Sequence, residues 1–222
     1  MKFKYILIFS LISYVTALPL KERDILEFIE ARYSGDDSTV YSMISENFKY
    51  YHTPSIGLGV ITKYLNDELI ITDIIDDSLQ KMLKTGDRIH EINGMPISKS
   101  KIDFFGAVGD EQKLIITQKG DSIFQTIYLP LIKSQYIQND SLYLLDVINY
   151  GENWYDYDVN ILDVVINKEK IAVHYYWEGS KIQDGPIFHF FAMEIFYINR
   201  KTDLIERLEG LWSEKQFRDQ FK

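Results

Sequence analysis

Residues 20–54 carry the pattern of two short helices and one strand, too little to close a hydrophobic core, and the elements able to complete it appear only after residue 134. Ile25, Phe28, Ile29 and Tyr33 recur at helical spacing. Ser34-Gly35-Asp36-Asp37 breaks that helix and starts a second, marked by Val40, Met43 and Ile44, and Phe48 to His52 reads as a strand. After a helix from about Leu142 to Val147, four long strands follow at about Val159–Ile166, Ile171–Trp177, Ile187–Asn199 and Leu204–Trp212. The two fragments must therefore meet in space, and the stretch between them must leave and return at neighbouring points.

That intervening stretch, residues 55–133, alternates short strands with turn chemistry. Gly57-Leu58-Gly59-Val60-Ile61-Thr62 opens a strand, Asn66-Asp67 turns it, and Leu69 to Ile75 returns. Asp76-Asp77-Ser78 is expected to cap a short helix through Leu83, and Gly86-Asp87-Arg88-Ile89 leads into a strand that turns at Asn93-Gly94. Lys101 to Val108 is expected as a brief helix, followed by a hairpin of Leu114–Thr117 and Phe124–Leu131. Gly57-Leu58-Gly59-Val60, Gly86-Asp87-Arg88-Ile89 and Ile92-Asn93-Gly94, in this order, resemble PDZ domains of bacterial type. The resemblance implies a groove in which the backbone of Gly57, Leu58, Gly59 and Val60 receives the carboxylate of a protein or peptide C-terminus. Ile61, Ile102 and Phe105 would wall its last side chain. On that reading, Gly59→Asp abolishes capture and leaves the fold intact.

The outer fragments resemble the NTF2-like fold of the SnoaL polyketide-cyclase relatives. Tyr51-His52-Thr53-Pro54, Ala172-Val173-His174-Tyr175 running to Trp177-Glu178-Gly179, Met193-Glu194-Ile195-Phe196, and Leu204-Ile205-Glu206-Arg207 continuing to Trp212 carry the likeness. The expected fold class is α+β: an NTF2-like cone of curved antiparallel sheet with helices, discontinuous over 18–54 and 134–222 and interrupted by the PDZ-like module. The resemblance implies a pocket with Glu194 as general base or acid. His52 would assist it, although Thr53 stands where the family's His-Asp-Pro-like motif has an acid. His174, Tyr176, His189 and Trp212 are further pocket candidates. Alternation puts His174 and Tyr176 on one strand face and Val173, Tyr175 and Trp177 on the other, and the sequence leaves open which faces inward.

Lys2 and Lys4, the mostly apolar Tyr5 to Val15 and the small residues at Val15-Thr16-Ala17 read as a cleaved secretory signal over 1–17, which points to a secreted or periplasmic protein. The formal charge of −9 argues against a nucleic-acid surface, which needs clustered Lys and Arg. With no Cys, disulfides and thiolate metal sites are excluded, and the four histidines show no metal spacing, so no cofactor is expected. Three function classes remain. The first is a non-enzymatic binding or scaffolding protein whose PDZ-like groove captures a peptide C-terminus and whose outer pocket is a platform or second site. The second is a SnoaL-like isomerase, cyclase or hydrolase acting on a small apolar ligand through a pocket carboxylate. The third is a structural oligomer, a homodimer in its simplest form.

Overall fold

A computed structural model describes residues 22–97 and 106–212, together with Gln220. The leader over 1–17 and the groove-wall candidates Ile102 and Phe105 lie outside these residues.

Helix α1 (Glu22–Ser34) buries Ile25, Phe28, Ile29 and Tyr33, the residues that share its apolar stripe. It stops at Gly35, whose φ of +81° suits a residue without a side chain. A Cβ there would lie 2.8 Å from the Cα of Gly151, so this glycine also lets α1 end against α3 (Asp140–Asn153). Helix α2 (Asp37–Met43) is capped by Asp36, which accepts from the Thr39 N–H at 3.0 Å.

Strand β1 (Ile44–Tyr51) enters the outer sheet. It is followed by β2 (Ser55–Gly57), β3 (Val60–Leu65), β4 (Glu68–Ile74), β5 (Arg88–Ile92), β6 (Met95–Pro96), β7 (Glu111–Thr117), β8 (Gln125–Pro130), β9 (Ile132–Ser134) and β10 (Ile137–Asn139). After α3 come the long strands β11 (Asp156–Asn167), β12 (Lys170–Ser180), β13 (Ile187–Asn199) and β14 (Leu204–Trp212). The outer sheet runs β10-β1-β14-β13-β12-β11; every pairing is antiparallel except β1 with β14. Bulges at Leu162 in β11 and at Glu206 near the start of β14 bend the long strands. The result is an α+β arrangement of helices against a curved mixed sheet.

Residues 60–130 form a second sheet in the order β3-β4-β5-β7-β8, with β6 pairing on β5. Its core, centred on Leu58, Leu69, Ile71, Ile89, Leu114 and Ile116, is distinct from the outer core of Phe28, Phe48, Val173, Tyr175, Trp177 and Phe196. A two-stranded ladder, Ser55 opposite Ser134 and Gly57 opposite Ile132, carries the chain in and out.

The helix expected from Ser78 to Leu83 is a series of turns instead. Asp76 takes the Ser78 N–H and hydroxyl, and the buried Gln80 side chain accepts from the N–H groups of Met82 and Leu83. Those local bonds satisfy donors that a helix would otherwise have had to order.

Candidate functional site: an aromatic cavity between α1, α3 and the outer sheet

The inward face of β12 carries Val173, Tyr175 and Trp177, and that of β13 carries Ala192, Glu194 and Phe196. Between this face and the helices lies a cavity in which about 80 Å³ can be reached by the centre of a water molecule, several times what a single water requires. Tyr33, Tyr50, Tyr143, Tyr150 and Tyr175 line it together with Phe190, Trp154, Trp177 and Trp212, so the protein's three tryptophans all face one space.

One side of the cavity is closed by a buried ion pair. Arg32 Nη1 and Nη2 donate to Glu194 Oε1 and Oε2 at 2.8 and 2.9 Å, and both side chains are 3–4% exposed. The same two nitrogens donate to Tyr143 Oη at 3.2 Å, Tyr175 Oη at 2.8 Å and Tyr33 Oη at 3.3 Å. Burial works against the Arg32 charge, but Glu194 and these tyrosines outweigh it and hold the guanidinium protonated well beyond its ordinary range. Burial also pushes the Tyr33, Tyr50, Tyr143 and Tyr175 hydroxyls far up, so all four stay neutral. With both carboxylate oxygens engaged by one guanidinium fork, Glu194 is built as a partner for Arg32 rather than as a proton acceptor.

Elsewhere on the cavity wall the groups are arranged differently. His52 follows β1, and its ring lies 4.3 Å from that of Tyr50. Its Nε2 is 2.7 Å from Gln138 Oε1, and Gln138 Nε2 donates to Asp146 Oδ2 at 2.6 Å. Gln138 comes from β10 and Asp146 from α3, and both line the cavity with His52. The hydroxyls of Tyr50 and Tyr150 make no hydrogen bond to another described residue, so each has a donor to offer a ligand oxygen.

Of the residues singled out in the sequence, Glu194, His52 and Trp212 line this cavity. His174, Tyr176 and His189 do not, and their expected place is corrected by the strand alternation. The inward set of β12 is Ile171, Val173, Tyr175 and Trp177, which turns His174 and Tyr176 to the opposite face. There the Tyr176 hydroxyl donates to Glu178 at 3.0 Å and its ring lies 5.8 Å from that of His189, while the main chain of His189 is bonded to the Gln220 amide. The loop candidates are contiguous: Gly57 ends β2 in the two-stranded ladder, Leu58 and Gly59 bend the chain, Val60 and Ile61 open β3, and none of them lines the cavity. Leu58 is a core residue of the second sheet, with its carbonyl held by Gln80 Nε2 at 2.8 Å. Gly59 has φ +71°, and a Cβ on it would lie 2.5 Å from Ile132 Cδ1. Gly59→Asp therefore strains backbone and packing together, and cannot separate peptide capture from folding.

Arg32, Gln138 and Asp146 escaped the sequence reading. Arg32 had a signal: it lies four residues after Phe28 and three after Ile29, on the stripe that α1 buries. Asp146 likewise shares a face of α3 with Tyr143, Val147 and Tyr150.

The chain is similar to AusH from Aspergillus nidulans (12% identity, 89% of this chain and 88% of that one, TM-score 0.44). It is also similar to wild-type IdmH from Streptomyces antibioticus, named as a candidate polyketide cyclase (10%, 90% and 96%, 0.44). A third similarity is to a structure from Rhodopseudomonas palustris named as a candidate isomerase (6%, 91% and 98%, 0.45). No protein-family model and no curated protein matches the sequence. Likeness at this level says nothing of activity, which has to be read from the site. Among the described residues, no group of three or more His, Asp or Glu could hold a metal ion.

Proposed function

We propose that the outer unit is an NTF2-like, SnoaL-like domain that binds a small, mostly apolar molecule in the aromatic cavity and moves a proton on it, as an isomerase, cyclase or hydrolase does. The observation that carries this reading is the division of labour among the cavity's ionisable groups. Glu194 is closed off by Arg32, whereas His52 sits on the wall beside Tyr50 and is supported by Gln138. An imidazole is the side chain whose unperturbed titration lies closest to neutral pH, which suits proton transfer there. Tyr50 and Tyr150, as uncharged donors, suit an oxygen on which negative charge develops. The role first assigned to Glu194 passes to His52 in this proposal. The signal-like residues 1–17 add export to it.

Because all three tryptophans line the cavity, intrinsic fluorescence reports its occupancy directly. Aromatic ketones and phenols that change this fluorescence can then be followed by NMR for exchange of the proton next to the carbonyl in heavy water. His52→Ala is expected to slow that exchange by about 10²–10⁴ while the fluorescence titration is retained. Exchange at the wild-type rate in His52→Ala would remove His52 from the chemistry.

A second reading rests on β3, which lies at the edge of the inner sheet directly after Gly59 and so offers a strand edge to an extended peptide. It treats residues 55–133 as a PDZ-like module that captures a peptide C-terminus. Peptides from a random C-terminal library should then bind with a free carboxylate and lose binding as amides. Equal binding of both forms would leave the module without a carboxylate-reading loop.

A further inference from the structure

The geometry points to Gln138 and Asp146 as positioning residues that hold His52 in a single tautomer, with the proton on Nε2. This deepens the reading of His52 as the proton-transfer group and rests on it for its functional meaning, although the tautomer itself can be measured without any substrate.

The argument runs outward from Asp146. A carboxylate only accepts hydrogen bonds, so the Gln138 atom 2.6 Å from Asp146 Oδ2 has to be the amide nitrogen. The amide oxygen is thereby turned to His52, 2.7 Å from Nε2, and an amide oxygen also only accepts. Nε2 must then be the donor. In a neutral imidazole the second nitrogen is left with the lone pair. Gln138 is 3% exposed, and turning its amide over would set oxygen against carboxylate and its NH2 against the imidazole N–H.

The main chain of His52 is clamped as well. Its N–H donates to the Tyr136 carbonyl at 3.0 Å, its carbonyl accepts from Gln135 Nε2 at 2.9 Å, and the Tyr136 ring lies 5.0 Å from the imidazole. Residues 135–138 thus hold this histidine through main chain and side chain together, more than is needed to fill space at the end of a strand.

The test is the nitrogen-detected NMR signature of His52 in the full chain above its titration. Wild type should show Nε2–H alone. Gln138→Met removes the acceptor and should give a mixture of tautomers. Asp146→Leu leaves Gln138 able to turn over and should do the same. A wild-type protein with the proton on Nδ1, or a Gln138→Met protein with the wild-type signature, overturns the proposal. The NMR result stands apart from the exchange assay. If the tautomer is held as described but His52→Ala exchanges at the wild-type rate, the proposed function fails while the relay remains.

Discussion

Glu194→Gln is expected to cost about 3–5 kcal/mol of stability, enough to unfold a marginal domain before its chemistry can be assayed. The guanidinium of Arg32 is buried with its charge balanced by both oxygens of Glu194. A glutamine supplies one acceptor and no charge, so a buried cation is left uncompensated. Arg32→Met should cost a similar amount for the converse reason. The double variant Arg32→Met/Glu194→Leu removes both desolvation penalties and should recover most of the loss, less whatever is lost when three tyrosine hydroxyls give up their donor. Urea unfolding of wild type, Arg32→Met, Glu194→Leu and the double variant yields the coupling energy. A Glu194→Gln protein that unfolds at the wild-type midpoint would show that the pair is not the closed, dry contact described. For this reason an inactive Glu194 variant would by itself say nothing about proton transfer.

The same cluster sets an expected alkaline limit. Tyr33, Tyr50, Tyr143 and Tyr175 are all buried, and burial holds each above the ordinary value of 10.0. The half-buried Tyr157, whose hydroxyl donates to Glu30 at 2.8 Å, is pushed up to about 12 by burial and then by that carboxylate. In the folded protein these hydroxyls keep protons that the unfolded chain gives up above pH 10. Their contribution is therefore whole below pH 10 and is lost as pH rises towards the folded values. Each of the four buried groups removes about 1.4 kcal/mol per pH unit in that window, about 5–6 kcal/mol per unit together. A domain with about 5–15 kcal/mol to lose should unfold within about one to three units above pH 10. Circular dichroism and tyrosinate absorbance should change in one step for this set. Ionisation of these hydroxyls in a chain that remains folded would contradict the burial described.

Much of the outer architecture was legible because long strands and tight turns leave strong local marks. The bounds of β13 and β14 are those of the alternation in the sequence, and Asn66-Asp67 turns with both residues at positive φ, as a two-residue hairpin loop requires. Which face of a strand points inward was not legible. Period two sorts Tyr175 and Trp177 from His174 and Tyr176 but cannot rank two aromatic faces, and only the helices packed against one of them decide. Arg32 was passed over because a charged residue is ordinarily solvated, although its spacing already placed it among buried neighbours. The His52 relay joins residues 86 positions apart, and no local pattern can bring them together.

Strand β1 pairs with β10, Tyr50 opposite Gln138, so these two strands are the arms of a hairpin whose loop is the whole second sheet. An unstructured loop of that length costs about 2–3 kcal/mol more to close than a tight turn. Once the inner sheet has folded, Ser55 and Ser134 are already paired and the excess is gone. The order of assembly follows from the topology: the inner sheet acts as a preformed turn for the outer one. Variants that weaken it should slow formation of the aromatic cavity without touching a residue that lines it.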